Sequence, residues 1–420
     1  MNLTRLAALT VGLGYLLVQG KAMALSLDEA LARAGQTPEV LSRQADEAAA
    51  TALASAAGQL PDPRLTLSVD DFMLEGDQQY RLDGSKRMLG LMQAIPAAAK
   101  RDAERRQMAA TRESSTRARE YAHLAAHREV SLLWLRLHYL ARKETLLHAQ
   151  AEENQRRQKV TLALLAGGGD ANMALEPLLD RQTLDDAIDL LTRDRQILRA
   201  RLAQWIGPLA PDETASGPLP AWIQDAPPPS PDDAAPPPGE DPDPETELRP
   251  SRARIAMAEA QWERARADAH PDWSVELGLG RDAMGQAMAM AKIGLSLPLF
   301  PADRQAPRIA AARARLLAAE AEHAMRKAAF TRQREELLAE EAALTARLRR
   351  LTQETLPLLA RRTTLAEAAF SAGKSPATAL IAAREKQLAA QLRALDLETE
   401  RAAARARLHF LQQRSGAHHE

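Results

Sequence analysis

Alternating apolar and polar residues occur in two pairs of short stretches, and each pair is followed by a very long helical pattern. The first pair spans about residues 64–72 and 87–96, and the second about 272–281 and 288–299. A period of two predicts β-strands, whereas apolar residues at three- and four-residue spacing predict helices. The pattern therefore predicts two tandem repeats, each made of a helix, a β-hairpin and a long helical hairpin.

The positions of proline and glycine support this repetition. Pro96 and Pro298, each at the end of a predicted hairpin, lie 202 residues apart, and Gly168 and Gly373 lie 205 apart. No glycine occurs between Pro96 and Gly167, so about 70 residues can form one helix of roughly 100 Å. Each repeat is thus predicted to end in two antiparallel helices joined by a glycine turn.

The N-terminus has the three parts of a secretory signal peptide, predicted over residues 1–24. Arg5 gives a positive start, residues 6–18 are apolar, and Ala22 and Ala24 supply small residues for cleavage. This apolar run is shorter than the roughly 20 residues of a spanning helix, so an uncleaved anchor is the less favoured alternative. The sequence contains no cysteine, so we expect no disulfide, no thiolate metal site and no lipid anchor through cysteine.

The rest of the chain is divided by composition. The first repeat is expected over residues 25–207 and the second over residues 251–413. Between them, residues 208–250 contain 14 of the 25 prolines, ten acidic residues and one basic residue. Such a segment buries too little apolar surface to fold, which predicts a disordered linker. Residues 414–420 are predicted to be a tail.

The predicted strands separate apolar from charged residues. Ser68, Asp70, Glu276 and Lys292 lie on the face opposite the leucines, isoleucine and valines of their strands. A charge facing lipid at mid-bilayer costs roughly 2–4 kcal/mol. The separation of the charged residues from the apolar face therefore predicts membrane-crossing strands, with these four residues lining a lumen. A soluble sheet packed on a helix is the alternative. Four strands cannot close a barrel, and lipid cannot satisfy open edges, so partner subunits must complete the wall.

The two strand-to-helix junctions carry a family resemblance. Residues 294–300 (GLSLPLF), followed by the pair DR at 303–304, resemble the second-repeat junction of the TolC-like outer-membrane factors, also called outer membrane efflux proteins. Residues 90–96 (GLMQAIP), followed by KR at 100–101, resemble the first-repeat junction, in a form similar to the heavy-metal and cation efflux branch. The resemblance covers nearly all of the chain outside the signal peptide and the linker.

The resemblance implies a mostly α-helical homotrimer with a 12-stranded transmembrane β-barrel, four strands per protomer, and an α-helical periplasmic tunnel. It implies the outer membrane of a Gram-negative bacterium and a passive exit duct of a tripartite efflux system, not an enzyme. The implied partners are a periplasmic adaptor (membrane fusion) protein, an inner-membrane pump of the RND type and outer-membrane lipid. Cations or heavy metals are the expected cargo. Drug efflux, type I protein secretion and a periplasmic coiled-coil adaptor or scaffold are the alternatives.

The resemblance also places a periplasmic tip and adaptor contact at the two glycine turns. Asp170 is the candidate for a charged ring, because three copies around an axis would concentrate negative potential. A helix cap is the alternative role for this residue. The predicted tip residues are Gly168, Gly169, Asp170, Gly373, Lys374 and Ser375.

Other chemistry is sparse. The net charge of −1 gives no global field for nucleic acid, and no motif for catalysis or for a cofactor occurs. His123 and His127 are four residues apart on a predicted helix and could pair on a metal, but surface histidines are the favoured interpretation.

Two further groups invite a functional interpretation. Met284, Met288 and Met290 could contact copper or silver through soft thioethers, although ordinary strand and loop methionines are the favoured interpretation. Acidic residues at 335–336 and 340–341 predict a charged, salt-bridged helix face rather than a catalytic pair.

Overall fold

The computed structural model of the protein describes residues 24–71, 85–168, 171–211, 213–224 and 246–413. The predicted signal peptide up to residue 23, most of the first hairpin loop, the acidic centre of the linker and the tail lie outside these ranges.

The first repeat begins with short helices, continues through a β-hairpin and ends in a long helical hairpin. Its elements are β1 (Ala24–Leu25), α1 (Leu27–Ala34), α2 (Pro38–Ala56), β2 (Arg64–Asp70), β3 (Lys86–Ile95), α3 (Ala98–Ala166) and α4 (Ala171–Ile206). β4 (Thr214–Ala215) and α5 (Ala221–Gln224) follow it.

The second repeat has the same order of helix, hairpin and helical hairpin. Its elements are α6 (Arg249–Ala267), β5 (Asp272–Arg281), β6 (Ala287–Ser296), α7 (Ala306–Arg350), α8 (Leu356–Ser371) and α9 (Ala377–Leu411), with single π-helical turns at Pro301–Gln305 and Leu351–Thr355. The predicted fold class, mostly helical with two repeated β-hairpins, is confirmed.

One antiparallel sheet joins the two repeats, with its strands in the order β2-β3-β5-β6. The central pairing of β3 with β5 sets Leu91 opposite Leu277. β2 and β6 are the two edges, and neither has a second strand partner within the described residues. β6 ends at Ser296, before its predicted end at residue 299, because Pro298 has no N–H to donate to a neighbouring strand.

The helical part is organised around α3, which packs against both α4 and α9. Trp134 of α3 is fully buried, and its indole N–H donates to the carbonyl oxygen of Leu25 at 2.8 Å. Leu202 of α4 and Ala406 of α9 belong to the same apolar cluster. A buried tryptophan contributes a large apolar area, so this cluster fixes the N-terminal residues to the middle of the bundle. No helix of the described ranges is long and apolar enough to cross a bilayer.

Part of the segment predicted as a disordered linker is folded, which corrects that expectation. Residues 213–224, here called the strap, contain β4, which pairs in parallel with β1. Ile223 in the strap is buried. Arg405 of α9 donates to the carbonyl oxygens of Ile223 and Gln224, both at 2.9 Å. A few apolar side chains suffice to hold this stretch because they pack against the apolar cluster that includes Ala406 of α9, although the composition of the whole segment is that of a linker.

Candidate functional site

One face of the sheet consists mainly of exposed apolar side chains, with Arg87 opposite Arg281 at one end and Gln93 near the other. The register sets Leu67 opposite Leu89, and Leu89 opposite Leu279, so apolar residues of neighbouring strands share a side. Leu67 is 77% exposed and Ile293 is 74% exposed. Continuous apolar surface of this kind marks a contact with a protein or a membrane. This apolar face contains Leu65, Leu67, Val69, Leu89, Leu91, Ile95, Trp273, Val275, Leu277, Leu279, Ile293 and Leu295.

The opposite face, here called the mixed face, carries the four residues predicted to line a lumen. Ser68 donates to Asp70 at 3.4 Å, and the Lys292 ammonium lies 3.6 Å from the Glu276 carboxylate. Along β5 every mixed-face residue is less exposed than its apolar-face neighbours. A soluble antiparallel sheet normally has the reverse arrangement, with its apolar face buried and its polar face solvated.

Asp272 holds the base of this sheet together. Its carboxylate accepts hydrogen bonds from the Lys100 ammonium at 2.6 Å and from the Ala97 backbone N–H at 3.0 Å. The backbone N–H of Asp272 donates to the Ser296 hydroxyl at 2.9 Å. One residue therefore ties the start of α3 to both strands of the second hairpin. Asp272 is not among the site residues predicted from the sequence. The signal was an acidic first residue in one predicted strand and a lysine, Lys100, just after the other predicted hairpin.

Glycines form the turns at the far ends of the helical hairpins. Gly168 and Gly373 have φ angles of 92° and 69°, in the left-handed region that other residues rarely adopt. The N–H groups of Gly373 and Lys374 donate at 2.9 and 2.8 Å to carbonyl oxygens at the end of α8, which closes that helix. The remaining predicted tip residues are Ser375, which lies in this second turn, and Gly169 and Asp170, which lie outside the described residues.

Ion pairs connect the two helical hairpins near these turns. Arg157 of α3 lies 2.9 Å from Asp180 of α4 and 3.4 Å from Glu385 of α9. Burial raises the pKa of the Glu385 carboxyl above its ordinary value, and Arg157 opposes that shift. Arg384 of α9 lies 3.4 Å from Glu153 of α3. The ends of the two repeats are therefore electrostatically coupled.

His123 and His127 belong to α3 and are half-buried where α1 packs against it, which is a more enclosed position than the expected surface one. Their ring centroids are 4.2 Å apart, and His127 hydrogen-bonds to the backbone of Leu31. Burial, reinforced by repulsion from His123, lowers the pKa of His127 from 6.5 to about 4. The described residues contain no group of three or more His, Cys, Asp or Glu that could hold a metal.

Acidification is expected to destabilise the protein through His127. Its folded pKa lies below its ordinary value, so between pH 6.5 and 4 the unfolded chain binds a proton that the folded chain excludes. This contribution to stability is complete above pH 6.5 and is lost as the pH falls towards 4. His127→Asn should therefore flatten the fall in melting temperature between pH 7 and pH 4.

The matched control is His148→Asn, which alters an exposed histidine on the same helix. It should show the same fall in melting temperature as the unaltered protein. An equally steep fall in the His127→Asn variant would contradict the assignment.

The second half of the chain matches a known protein family. Residues 245–412 match the sequence profile of the outer membrane efflux protein family. A search of curated proteins finds no matching sequence.

Solved membrane proteins share the fold over most of the chain. VceC of Vibrio cholerae is 16% identical with a TM-score of 0.71, and the match covers 92% of this chain and 96% of VceC. The MtrE channel of Neisseria gonorrhoeae is 15% identical with a TM-score of 0.71, covering 92% and 88%. CusC is 14% identical with a TM-score of 0.68, covering 93% and 92%. The three TM-scores are similar, so the comparison supports the fold equally for all three proteins. Over residues 245–412 the chain thus matches a family of efflux proteins rather than of enzymes, and it has the fold of the outer membrane proteins VceC and MtrE.

Proposed function

We propose that the chain is one protomer of a passive exit duct in the outer membrane of a Gram-negative bacterium. The observation that carries the proposal is the reversed sheet, whose leucines are exposed and, along β5, are more exposed than the polar residues of the opposite face. Lipid against the apolar face would remove that surface from water, at roughly 25 cal/mol per Å². An aqueous lumen would solvate Ser68, Asp70, Glu276 and Lys292, the proposed lining residues.

Closure of the wall requires further copies of the chain. The edge strands β2 and β6 present rows of N–H and C=O groups that lipid cannot satisfy. Pairing β2 of one subunit with β6 of the next removes every edge, and three copies supply 12 strands. The 69-residue helix α3 would extend about 100 Å below the barrel as part of a periplasmic tunnel. A cleaved signal peptide over residues 1–24 would direct the chain there.

The glycine turns are the proposed tip and adaptor contact. In the sequence, Gly168, Gly169 and Asp170 stand between α3 and α4, and Gly373, Lys374 and Ser375 stand between α8 and α9. Opening of the tip would separate the helical hairpins and so break the ion pair of Arg157 with Glu385, whereas the pair of Arg157 with Asp180 lies within one hairpin. A periplasmic adaptor would drive that step, and an inner-membrane pump of the RND type would supply the energy.

Cations, including heavy metals, are the proposed cargo, because residues 90–96 resemble the cation branch of the family. A deletion strain complemented with the chain tests this choice. Export of copper and silver, of a dye and of a secreted polypeptide should be measured side by side. Loss of metal export alone on deletion supports the cation assignment, whereas loss of dye or polypeptide export alone overturns it.

Fractionation and mass measurement test the duct itself. The chain should sediment with the outer membrane, require detergent for extraction and migrate as a heat-modifiable oligomer. Light scattering in detergent should give three times the mass of the processed chain, which is 45.8 kDa before processing. A water-soluble monomer would contradict the proposal and support a periplasmic adaptor or scaffold.

A further inference from the structure

The methionines of the sheet all lie on the mixed face. Met88 and Met92 of β3 share that face with Met288 and Met290 of β6, and the described apolar face contains no methionine. Methionine that served only to fill apolar space would be equally suited to the leucine-rich side. Their common position brings four thioether groups to the polar side of the sheet.

Two of these methionines converge over a gap left by glycines. Gly90 of β3 and Gly278 of β5 are direct partners across the strands. A Cβ atom on Gly278 would stand 3.2 Å from the Met290 methyl carbon and 3.3 Å from the Met88 methyl carbon. A Cβ atom on Gly90 would stand 3.0 Å from Oε1 of Glu276. The paired glycines thus form the floor of a notch, here called the glycine notch, whose rim carries two thioethers and a carboxylate.

This donor set selects for a particular kind of ion. Thioether sulfur is a soft, uncharged ligand that favours Cu⁺ and similar ions, whereas Mg²⁺, Ca²⁺ and Mn²⁺ prefer oxygen ligands. One carboxylate balances the charge of a monovalent cation. The donor set is therefore that of a soft, singly charged metal ion.

Lys292 makes occupancy of the notch reversible. Its ammonium lies 3.6 Å from Oε2 of Glu276, and its side chain is 62% exposed. An arriving cation must displace this ammonium, which weakens binding. A conducting path requires sites that bind strongly enough to admit an ion and weakly enough to release it.

We propose that the glycine notch binds a soft monovalent cation, Cu⁺ or Ag⁺, through Met88, Met290 and Glu276. This inference rests on the proposed duct for its biological meaning, since the mixed face would then line the lumen and meet the cargo. The site itself lies within one protomer. Two further methionines extend the thioether surface along the strands of the same face. Met92 lies opposite Glu276, and Met288 lies opposite Gly280, which in turn lies opposite Met88.

Silver titration of the purified full chain tests the site. The protein, labelled with ¹³C at the methionine methyls, is kept in detergent in chloride-free buffer and titrated with silver nitrate. The resonances of Met88 and Met290 should shift until one Ag⁺ is bound per chain. Met88→Leu/Met290→Leu conserves side-chain volume and should bind Ag⁺ at least about tenfold more weakly, as expected for the loss of ligands. Lys292→Gln should bind it more tightly, because the competing ammonium is removed.

The matched control is Met325→Leu on α7, which alters an exposed methionine outside the sheet. It should leave the affinity for Ag⁺ unchanged. Equal affinity in the double variant and the control would overturn the site. A heat-modifiable trimer that shows no methionine shift would refute this inference and leave the duct intact. A water-soluble monomer that binds silver at the notch would refute the duct and leave the site intact.

Discussion

Leu277→Arg is expected to prevent most of the protein from assembling in the outer membrane. Leu277 lies near the middle of β5 on the apolar face and is 60% exposed. An arginine facing lipid at mid-bilayer costs about 2–4 kcal/mol in each subunit, and a trimer contains three copies. The amount of heat-modifiable trimer in the outer-membrane fraction measures the effect.

Ser274→Arg on the same strand provides the control. Ser274 lies on the mixed face, where an aqueous lumen would solvate the added guanidinium. This variant should assemble far better than Leu277→Arg. Equal loss of trimer in the two variants would show that the apolar face does not contact lipid.

Arg405→Ala is expected to destabilise the centre of the helical bundle by about 3–5 kcal/mol, because it leaves a buried carboxylate without its partner. Arg405 Nε donates to Glu341 at 2.8 Å, and Glu341 is only 4% exposed. The variant also removes both hydrogen bonds from Arg405 to the strap. Urea unfolding followed by circular dichroism should show this loss of stability as a lower urea concentration at the midpoint of unfolding.

Two further variants distinguish the cost of leaving Glu341 buried and unpaired from the cost of losing any ion pair. Arg332→Ala breaks an exposed pair with Glu336 on α7 and should change stability by less than about 1 kcal/mol. Adding Glu341→Gln to Arg405→Ala should recover part of the loss, because a neutral amide costs less to bury than a carboxylate. No recovery would mean that the ion pair does not explain the destabilisation.

The strand faces could be predicted from sequence because side-chain alternation is a local property. The faces of Ser68, Glu276 and Lys292 follow from the apolar residues on either side of each, and the register of the sheet places Glu276 directly opposite Lys292. The glycine turns at Gly168 and Gly373 were equally accessible, since a helix ends where a left-handed residue is required.

Features that depend on distant partners could not be predicted in this way. Glu341 belongs to an acidic helix face that predicts solvent exposure, but Arg405, 64 residues later, pairs with it in the interior. His127 is covered by α1, and the strap folds only because β1 and α9 hold it. The convergence of Met88 and Met290 likewise requires the pairing of β3 with β5, which joins the two repeats.

The apolar cluster around Trp134 has a consequence for the order in which the protein folds. Leu25 reaches its partner Trp134 across 109 residues, and Ser216 donates to the same carbonyl oxygen of Leu25. Arg405 secures the strap from 182 residues beyond Ile223. Contacts so distant in sequence form slowly. In the proposed secretion from the N-terminus, Leu25 gains these partners only after residues 134 and 216 have followed it, and the strap gains Arg405 only near the end of delivery.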